Sequence, residues 1–456
     1  MTATGTAPTL PLTAKASLAA AALLCATLFL LSADHLFVAI GGNKIKYGYF
    51  LLLALWLTRP RAMANAALDA LARMPRWPFL IVLPVAIAVA TSSNVARSLL
   101  WTLWLGFDAL TILTVYAYLT AHRFTAPQIV NTAACALGLI ALGGLAQFIA
   151  IYVMHQVVLM PQKHFDLYRI NGLAGWPHFL CIFSFLLLPI LAAQERLSWL
   201  QLAIVALTVF VLVQSTAKTG WVLFVALGAL LLWFDRRLFN RNFLFLLLPL
   251  TVIALLIPTP PANTGAPPLS GSEKVQVFAE DLDLSNKSTS GVDRVLINQL
   301  GLRVFLRHPW FGVGPKAYDT YMFTRFDSEL PGASRVDANG GLIAKNENIW
   351  IEWLAECGLV FTLFAALLVV RALWVPAWSF RNSLHFGAWL ALVLYFGLSG
   401  QVSQTGLLTM VYAVAGIYFR ARDLPHMAQS PVFSSAERRV PFDSRTPLVS
   451  HTRPGT

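Results

Sequence analysis

Three polar residues, spaced four apart, lie where a long apolar segment of the chain begins. They are Asn348, Glu352 and Glu356, in the stretch AKNENIWIEWLAECG. Residues four apart share one face of a helix, so the amide and the two carboxylates form a single polar stripe. Charged groups at membrane depth are costly and usually line a wet cavity or pair with a partner. The stripe therefore predicts either a polar binding surface, or a Glu352 that reaches the interface and a Glu356 that pairs with an arginine for packing.

Basic residues elsewhere in the chain could complete such a surface. Arg169 and His178 precede one apolar segment, Lys218 lies in the turn QSTAKTGW between two others, and Arg294 and Arg303 lie in a polar segment. Singly, each has an ordinary explanation, because cations anchor helices at a membrane interface and a histidine can cap a helix. Together, the four cations could line one cavity for an anionic substrate that a lipid carries.

The composition indicates which elements position these residues. Of 456 residues, 57% are hydrophobic and 12% are charged, and the mean hydropathy is +0.66. About a quarter of the residues of a soluble domain are charged, so we expect an all-α polytopic membrane protein. Apolar segments of spanning length predict about 12 transmembrane helices, at 16–33, 45–60, 77–92, 98–120, 128–153, 176–193, 197–215, 219–234, 241–258, 349–373, 384–400 and 405–420.

The distribution of Lys and Arg predicts a membrane topology with both termini in the cytoplasm. More than half of the 33 Lys and Arg residues fall in segments that this orientation places inside, and few fall in the short outside loops. The net charge of +12 follows largely from this topology and suits anionic membrane lipids, so no nucleic-acid partner is expected. The first span has no convincing cleavage site and is interpreted as uncleaved.

One large loop divides the predicted bundle. Residues 1–258 hold spans one to nine, 259–348 form a periplasmic loop, 349–420 hold spans ten to twelve, and 421–456 form a cytoplasmic tail that we expect to be disordered. Within the loop, GVDRVLINQLGLRVFLRHP predicts an amphipathic helix that ends before Pro309. The four cysteines fall inside predicted spans, and no metal-ligand spacing such as C-x-x-C occurs.

Two stretches before the large loop resemble motifs of the O-antigen ligase and polymerase superfamily, which are bacterial polytopic membrane glycosyltransferases. RINGLAGWPHFL is similar to the family's Arg-x-x-Gly…His-Pro segment before a span, although here Pro177 precedes His178. STAKTGW is similar to the Ser-Arg-Gly turn, with Lys218 in the arginine position.

Two further stretches follow in the family's order. GVDRVLINQLGLRVFLRHPWFGVGPKAY resembles the loop helix with its arginine and the Pro-x-x-Gly-x-Gly that follows. ENIWIEWLAECGLV resembles the segment that enters the span after the large loop. The likeness covers about residues 160–375, together with the plan of twelve spans and one large loop.

The resemblance implies transfer of a glycan from undecaprenyl diphosphate to an acceptor hydroxyl, with no metal or other cofactor. A departing diphosphate gathers negative charge, which preorganised cations can stabilise. By position, the resemblance makes Glu347, Arg294 and Arg169 the predicted catalytic residues. The predicted residues for binding the diphosphate or glycan are Lys218, Arg303, His178, Asn348, Glu352 and Glu356.

Two departures from the family pattern bear on this chemistry. Ligases of the family have histidine directly before the asparagine, where this chain has Glu347, and a buried carboxylate could still accept the hydroxyl proton or else orient an arginine. Lys218 keeps the charge of the arginine it replaces but loses bidentate geometry, so its hold on a diphosphate would be looser.

Three functions remain open at this stage. The favoured one is a polymerase that joins repeat units of an O-antigen or exopolysaccharide, with a chain-length regulator as a further candidate partner. The second is a ligase that transfers finished glycan to lipid A-core. The third is a flippase or transporter, which ranks lower because such carriers usually divide into two related halves.

Overall fold

The computed structural model describes part of the chain: residues 12–33, 35–40, 43–73, 77–159, 162–164, 167–192, 197–215, 290–325, 348–373 and 405–423. Three predicted spans, 219–234, 241–258 and 384–400, lie outside the described residues.

The described part is mostly helical. Its twelve α-helices are α1 (Leu12–Ser32), α2 (Tyr47–Thr58), α3 (Pro60–Arg73), α4 (Val82–Ala90), α5 (Val95–Ala121), α6 (Ala126–Tyr152), α7 (Pro177–Ala192), α8 (Trp199–Gln214), α9 (Ser290–Arg307), α10 (Tyr318–Arg325), α11 (Ile349–Leu373) and α12 (Thr405–Asp423). A short 3₁₀ helix at Trp77–Ile81 leads into α4. Two antiparallel hairpins pair β1 (Phe37–Ile40) with β2 (Asn43–Lys46) and β3 (Gln162–His164) with β4 (Leu167–Arg169).

Helices lie at all nine of the predicted spans that fall in the described residues. Three of them are long and apolar enough to cross a membrane: Val95–Ala121, Ala126–Tyr152 and the Ile349–Leu367 part of α11. Five shorter apolar helices lie at other predicted spans. The predominantly helical fold is thus confirmed, and the three candidate spans support a membrane protein, whereas the number of spans stays a prediction.

Local sequence signals explain where several helices begin or end. Ser198 and Gln201 form a capping box at the start of α8: the Ser198 Oγ accepts from the Gln201 N–H (3.3 Å) and the Gln201 Oε1 accepts from the Ser198 N–H (2.9 Å). Thr125 and Gln128 form the corresponding capping box before α6. The loop helix α9 ends at Arg307, directly before His308 and Pro309, as predicted.

Buried side chains of α1, α5, α6, α7, α8 and α12 form the main core. Small residues let the backbones approach in this core. A Cβ on Gly416 of α12 would lie 2.6 Å from the carbonyl oxygen of Ile112 on α5, and one on Gly144 of α6 would collide with Val211 of α8. The first approach brings α12 against α5, and the second brings α6 against α8.

A smaller core attaches the loop helices to α11. It consists of Leu300, Val304, Val313, Ala317, Tyr318, Met322 and Ala355. Two of the residues predicted for the apolar face of the loop helix, Leu300 and Val304, are fully buried in it. The amphipathic pattern therefore gave the correct face at these two positions.

Several elements were not predicted. The connections outside the large loop were expected to be short turns, but the structure contains α3 and the two hairpins there. Helix α3 is amphipathic and packs on α5, with Met63 buried and Leu68 exposed. The apolar run of such a helix is too short to predict a transmembrane span.

Candidate active site

The polar stripe begins at the start of α11. Asn348 caps the helix: its Oδ1 accepts from the backbone N–H of Trp350 (3.0 Å) and of Ile351 (3.4 Å). Its carbonyl oxygen accepts from the N–H of Glu352 at 2.9 Å. Asn348 therefore fixes the first turn of the helix that carries both glutamates.

Helix α11 is broken at Gly358. This residue has φ 74° and ψ −176°, a conformation that only glycine adopts readily. The break leaves carbonyl groups before Gly358 and N–H groups after it without partners within the helix, and such groups need partners at membrane depth. The predicted span at 349–373 coincides with the bounds of helix α11, but the prediction did not include this break.

A turn from the large loop supplies those partners. We call Pro309–Lys316 the inserted turn. The N–H of Val313 donates to the carbonyl of Ala355 (2.9 Å), and the N–H of Gly314 donates to that of Glu356 (2.8 Å). On the other side of the break, the N–H of Leu359 donates to the carbonyl of Pro309 at 2.8 Å.

The inserted turn also contacts the start of α5. The N–H of Ser93 donates to the carbonyl of Val313 (3.0 Å), and the Ser98 Oγ donates to that of Pro315 (2.5 Å). These contacts join segments that the charge distribution placed on one side of the membrane. The inserted turn is thus held between the start of α5 and the break in α11.

Around the inserted turn lies a group of acidic and basic side chains, which we call the carboxylate cluster. It contains Asp319, Glu352 and Glu356, all buried, with Arg97 and Lys316. Arg97 Nη2 lies 3.1 Å from Asp319 Oδ2, and Lys316 Nζ lies 3.4 Å from Glu352 Oε1. The carboxyl group of Glu356 accepts a hydrogen bond from the backbone N–H of Lys316. It also interacts electrostatically with the side chains of Glu352, Lys316 and Asp319.

Lys316 has a positive φ of 57°, which costs a residue with a side chain about 1–2 kcal/mol. The surrounding hydrogen bonds hold it in that conformation, so one residue contacts both glutamates of the stripe. Glu352 is therefore a buried carboxylate that pairs with Lys316. The packing alternative expected an arginine beside Glu356, whereas the basic residue that contacts its carboxyl group is Lys316, through the backbone N–H.

Arg169 lies in a second polar region, which we call the arginine segment (Tyr168–Gly172). The Tyr152 Oη donates to the carbonyl of Tyr168 at 2.7 Å. The Gln147 Oε1 accepts from the N–H groups of Asn171 (2.8 Å) and Gly172 (2.7 Å). Both partners belong to α6, so this helix positions the segment.

The arginine segment lies close to the end of α8. Gly172 of the segment approaches Gly144 of α6, and Gly144 packs against Val211 of α8. The Cys181 Sγ on α7 lies 3.5 Å from the Ser215 Oγ. Ser215 is the first residue of STAKTGW, so the structure brings two of the four quoted stretches together. Lys218, further along that stretch, lies outside the described residues.

The other predicted site residues are placed less completely. Arg303 is exposed on α9, whereas of Arg294 and His178 the structure describes only the backbone, in α9 and α7. Glu347 lies outside the described residues. The predicted convergence of Arg169, Lys218, Arg294 and Arg303 in one cavity therefore stays a prediction.

Four residues of these regions were not predicted to belong to a site. Arg97 lies in a short loop that the charge distribution places outside, and Asp319 lies directly after the quoted loop motif. Lys316 was within WFGVGPKAY but was interpreted as part of a turn. Gln147 had the clearest unused signal, because it is a lone amide in an otherwise apolar stretch of α6.

The described helices, with polar groups buried among them, suit a membrane protein that has a polar site. The family model described as O-antigen ligase matches residues 181–366, which run from α7 into α11. No curated protein matches the chain. The match confirms the predicted resemblance and supports membership of the chain in the O-antigen ligase and polymerase superfamily.

At the level of the family, the match supports an O-antigen ligase/polymerase-type membrane glycosyltransferase. The matched range contains Lys218, Arg294, Arg303 and the stretch from Glu347 to Glu356. Arg169 and His178 lie just before it.

Proposed function

We propose that this protein transfers a glycan from an undecaprenyl diphosphate carrier to a sugar hydroxyl at the periplasmic face of the bacterial inner membrane, and thereby polymerises repeat units of an O-antigen or exopolysaccharide. The observation that carries the proposal is the family match over residues 181–366. It includes the loop helix, the inserted turn and the broken helix α11 with its buried carboxylates.

The proposed reaction is a displacement at the anomeric carbon of the carrier-linked sugar. The acceptor oxygen forms a bond to that carbon, and the bond from the carbon to the diphosphate oxygen breaks, so the electron pair leaves with the diphosphate. Arg169, Arg294 and Lys218 stabilise the negative charge that develops there, with Arg303 as an additional cation. Glu347 accepts the proton of the acceptor hydroxyl. These roles need no metal or other cofactor.

The residues after Glu347 bind the glycan in this proposal. Asn348, Glu352 and Glu356 form one face of α11, and carboxylates that are held in place accept hydrogen bonds from sugar hydroxyls. The pairing of Lys316 with Glu352 at 3.4 Å supports this role, because it holds that carboxylate in a fixed position. His178, beside the arginine segment in sequence, is proposed to contact the carrier or glycan.

Glycan profiles of a strain that lacks the gene test the proposal. We expect the long polysaccharide to be replaced by single repeat units, and a plasmid-borne copy to restore it. A deletion strain with polysaccharide of unchanged amount and length would contradict the proposed function.

A ligase is the second candidate, because the family description refers to O-antigen ligase. In that case the deletion strain would accumulate full-length polymer on the lipid carrier, with none on lipid A-core. For a polymerase, a chain-length regulator is a proposed partner, and its deletion should broaden the length distribution without stopping synthesis.

A further inference from the structure

The arginine segment is attached to α6 on both sides of Arg169. Tyr152 holds the carbonyl of the preceding residue, Tyr168, at 2.7 Å. Gln147 holds the N–H groups of Asn171 and Gly172, which follow it, at 2.8 and 2.7 Å. Tyr152 and Gln147 are five residues apart on one helix, so the backbone around Arg169 is fixed at two points of a single rigid element.

Gln147 uses its whole amide for this attachment. Its Oε1 accepts both backbone N–H groups, and its Nε2 donates to the Asn171 Oδ1 (2.5 Å) and to the carbonyl of Val158 (3.2 Å). The residue is only 1% exposed, in a 27-residue helix that is otherwise suited to lipid. A buried amide is costly unless it is fully hydrogen-bonded, and here it is.

The backbone of the segment also approaches α6 directly. Gly172 has φ 54°, and a Cβ there would lie 3.1 Å from the backbone nitrogen of Gly144. Asn171 is fully buried, and its Nδ2 donates to the carbonyl of Gly175 at 2.8 Å. The turn that follows Arg169 is therefore fixed in position as well as in conformation.

These contacts place the arginine segment near a second stretch of the proposed site. The Cys181 Sγ, on α7, lies 3.5 Å from the Ser215 Oγ. Gly144 packs against Val211 of α8, the helix that leads to Ser215. Helix α6 thus sets the position of Arg169 relative to the end of α8.

We propose that Gln147 and Tyr152 are positioning residues for the glycan transfer: they hold the backbone on either side of Arg169 so that its guanidinium meets the diphosphate of the lipid carrier. This inference rests on the proposed function. Neither residue contacts the substrate in this account, and both act through Arg169.

The first test compares steady-state kinetics of the full-length protein in lipid vesicles with an undecaprenyl diphosphate-linked repeat unit. Gln147→Leu replaces the amide by an apolar side chain of similar volume and removes its four hydrogen bonds. We expect kcat to fall by about 100-fold, since a displacement of about 1 Å can cost that much. Tyr152→Phe removes one hydrogen bond and should lower kcat by about 10-fold. The matched control is Thr208→Val. Thr208 is equally buried, but its hydroxyl group donates a hydrogen bond within α8, to the carbonyl of Ile204 (2.7 Å). This variant should keep wild-type kinetics.

The second test separates positioning from general stability by a double-mutant cycle. In an Arg169→Lys background, Gln147→Leu should cost less than about 3-fold, because there is no longer a guanidinium to position. An equal loss in both backgrounds would mean that Gln147 only stabilises the fold, and the inference would be overturned. So would wild-type kinetics of Gln147→Leu.

Two readouts distinguish failure of this inference from failure of the proposed function. A wild-type protein that neither transfers the glycan nor binds undecaprenyl diphosphate would refute the proposed function itself. In that case, the rates of amide hydrogen exchange in residues 168–172 still show whether Gln147 holds the segment. Gln147→Leu should raise the exchange rates of the Asn171 and Gly172 amides, and Thr208→Val should leave them unchanged. Unchanged exchange in Gln147→Leu would overturn the positioning role in either case.

Discussion

The arginine segment and the carboxylate cluster hold polar groups at the membrane in two different ways. The arginine segment is attached by neutral hydrogen bonds to α6, an unbroken helix. The carboxylate cluster lies at a break in α11, and ion pairs at 3.1 and 3.4 Å join its members. The comparison indicates that Lys316 and Arg97 pair with carboxylates within the protein, whereas the hydrogen bonds that attach the arginine segment come from neutral groups of α6.

The largest effect is expected from Arg169. If this region supplies charge to the leaving diphosphate, Arg169→Ala should lower glycan transfer by more than about 1,000-fold, because a charge that stabilises the developing oxyanion is lost. The amount of protein in the membrane should not change. Arg61→Ala, on the exposed face of α3, is the matched control and should transfer glycan at the wild-type rate. Normal glycan in the Arg169→Ala strain would remove this residue from the site.

The next largest effect concerns the break in α11. Gly358→Ala should destabilise the protein by about 3 kcal/mol or more, because the added Cβ requires a strained φ and collides with the Trp310 carbonyl. The thermal unfolding midpoint in detergent measures this. Gly106→Ala is the matched control, since a Cβ there meets nothing within 4 Å, and it should leave the midpoint unchanged or raise it slightly. Equal midpoints for both variants would show that the break is not needed.

A smaller loss is expected from the lysine of the cluster. Lys316→Met should cost about 3 kcal/mol at most, because it leaves Glu352 buried without its counter-charge. Adding Glu352→Gln to Lys316→Met should recover much of that stability, although glycan transfer should stay low if Glu352 binds the glycan. Additive losses in the double variant, measured by urea or thermal unfolding, would contradict the pairing.

The smallest effect is expected from the more exposed pair. The side chain of Arg97 is 40% exposed and that of Lys316 is 15% exposed, so solvent screens the Arg97–Asp319 pair more strongly. Arg97→Met should therefore destabilise by about 1 kcal/mol or less. If Arg97→Met cost as much as Lys316→Met in the same unfolding measurement, burial would not explain the difference between the two pairs.

The elements that sequence patterns predicted are those with local causes. The loop helix ends at Arg307 because His308 and Pro309 follow, and its buried Leu300 and Val304 follow from helical spacing. The pairing of Lys316 with Glu352 joins residues 36 apart, so no local pattern could give it. The break at Gly358 depends on the inserted turn, and an isolated glycine in a helical pattern does not reveal such a partner.

Two features carried signals that were not used. The dipeptide at 41–42, Gly-Gly between two short runs, is typical of the tight hairpin that β1 and β2 form around it. Gln147 is a lone polar residue in an apolar stretch, which predicts a buried hydrogen-bonding partner but not which one. Asn171 is 24 residues away, and only the fold brings the two together.

The most direct test of the central claim uses the purified protein in vesicles with an undecaprenyl diphosphate-linked repeat unit as the sole substrate. The account predicts a ladder of lengthened glycans together with release of one free undecaprenyl diphosphate for each bond formed, both lost in Arg169→Ala. Movement of the intact lipid-linked unit across the vesicle membrane, with no undecaprenyl diphosphate released, would contradict it.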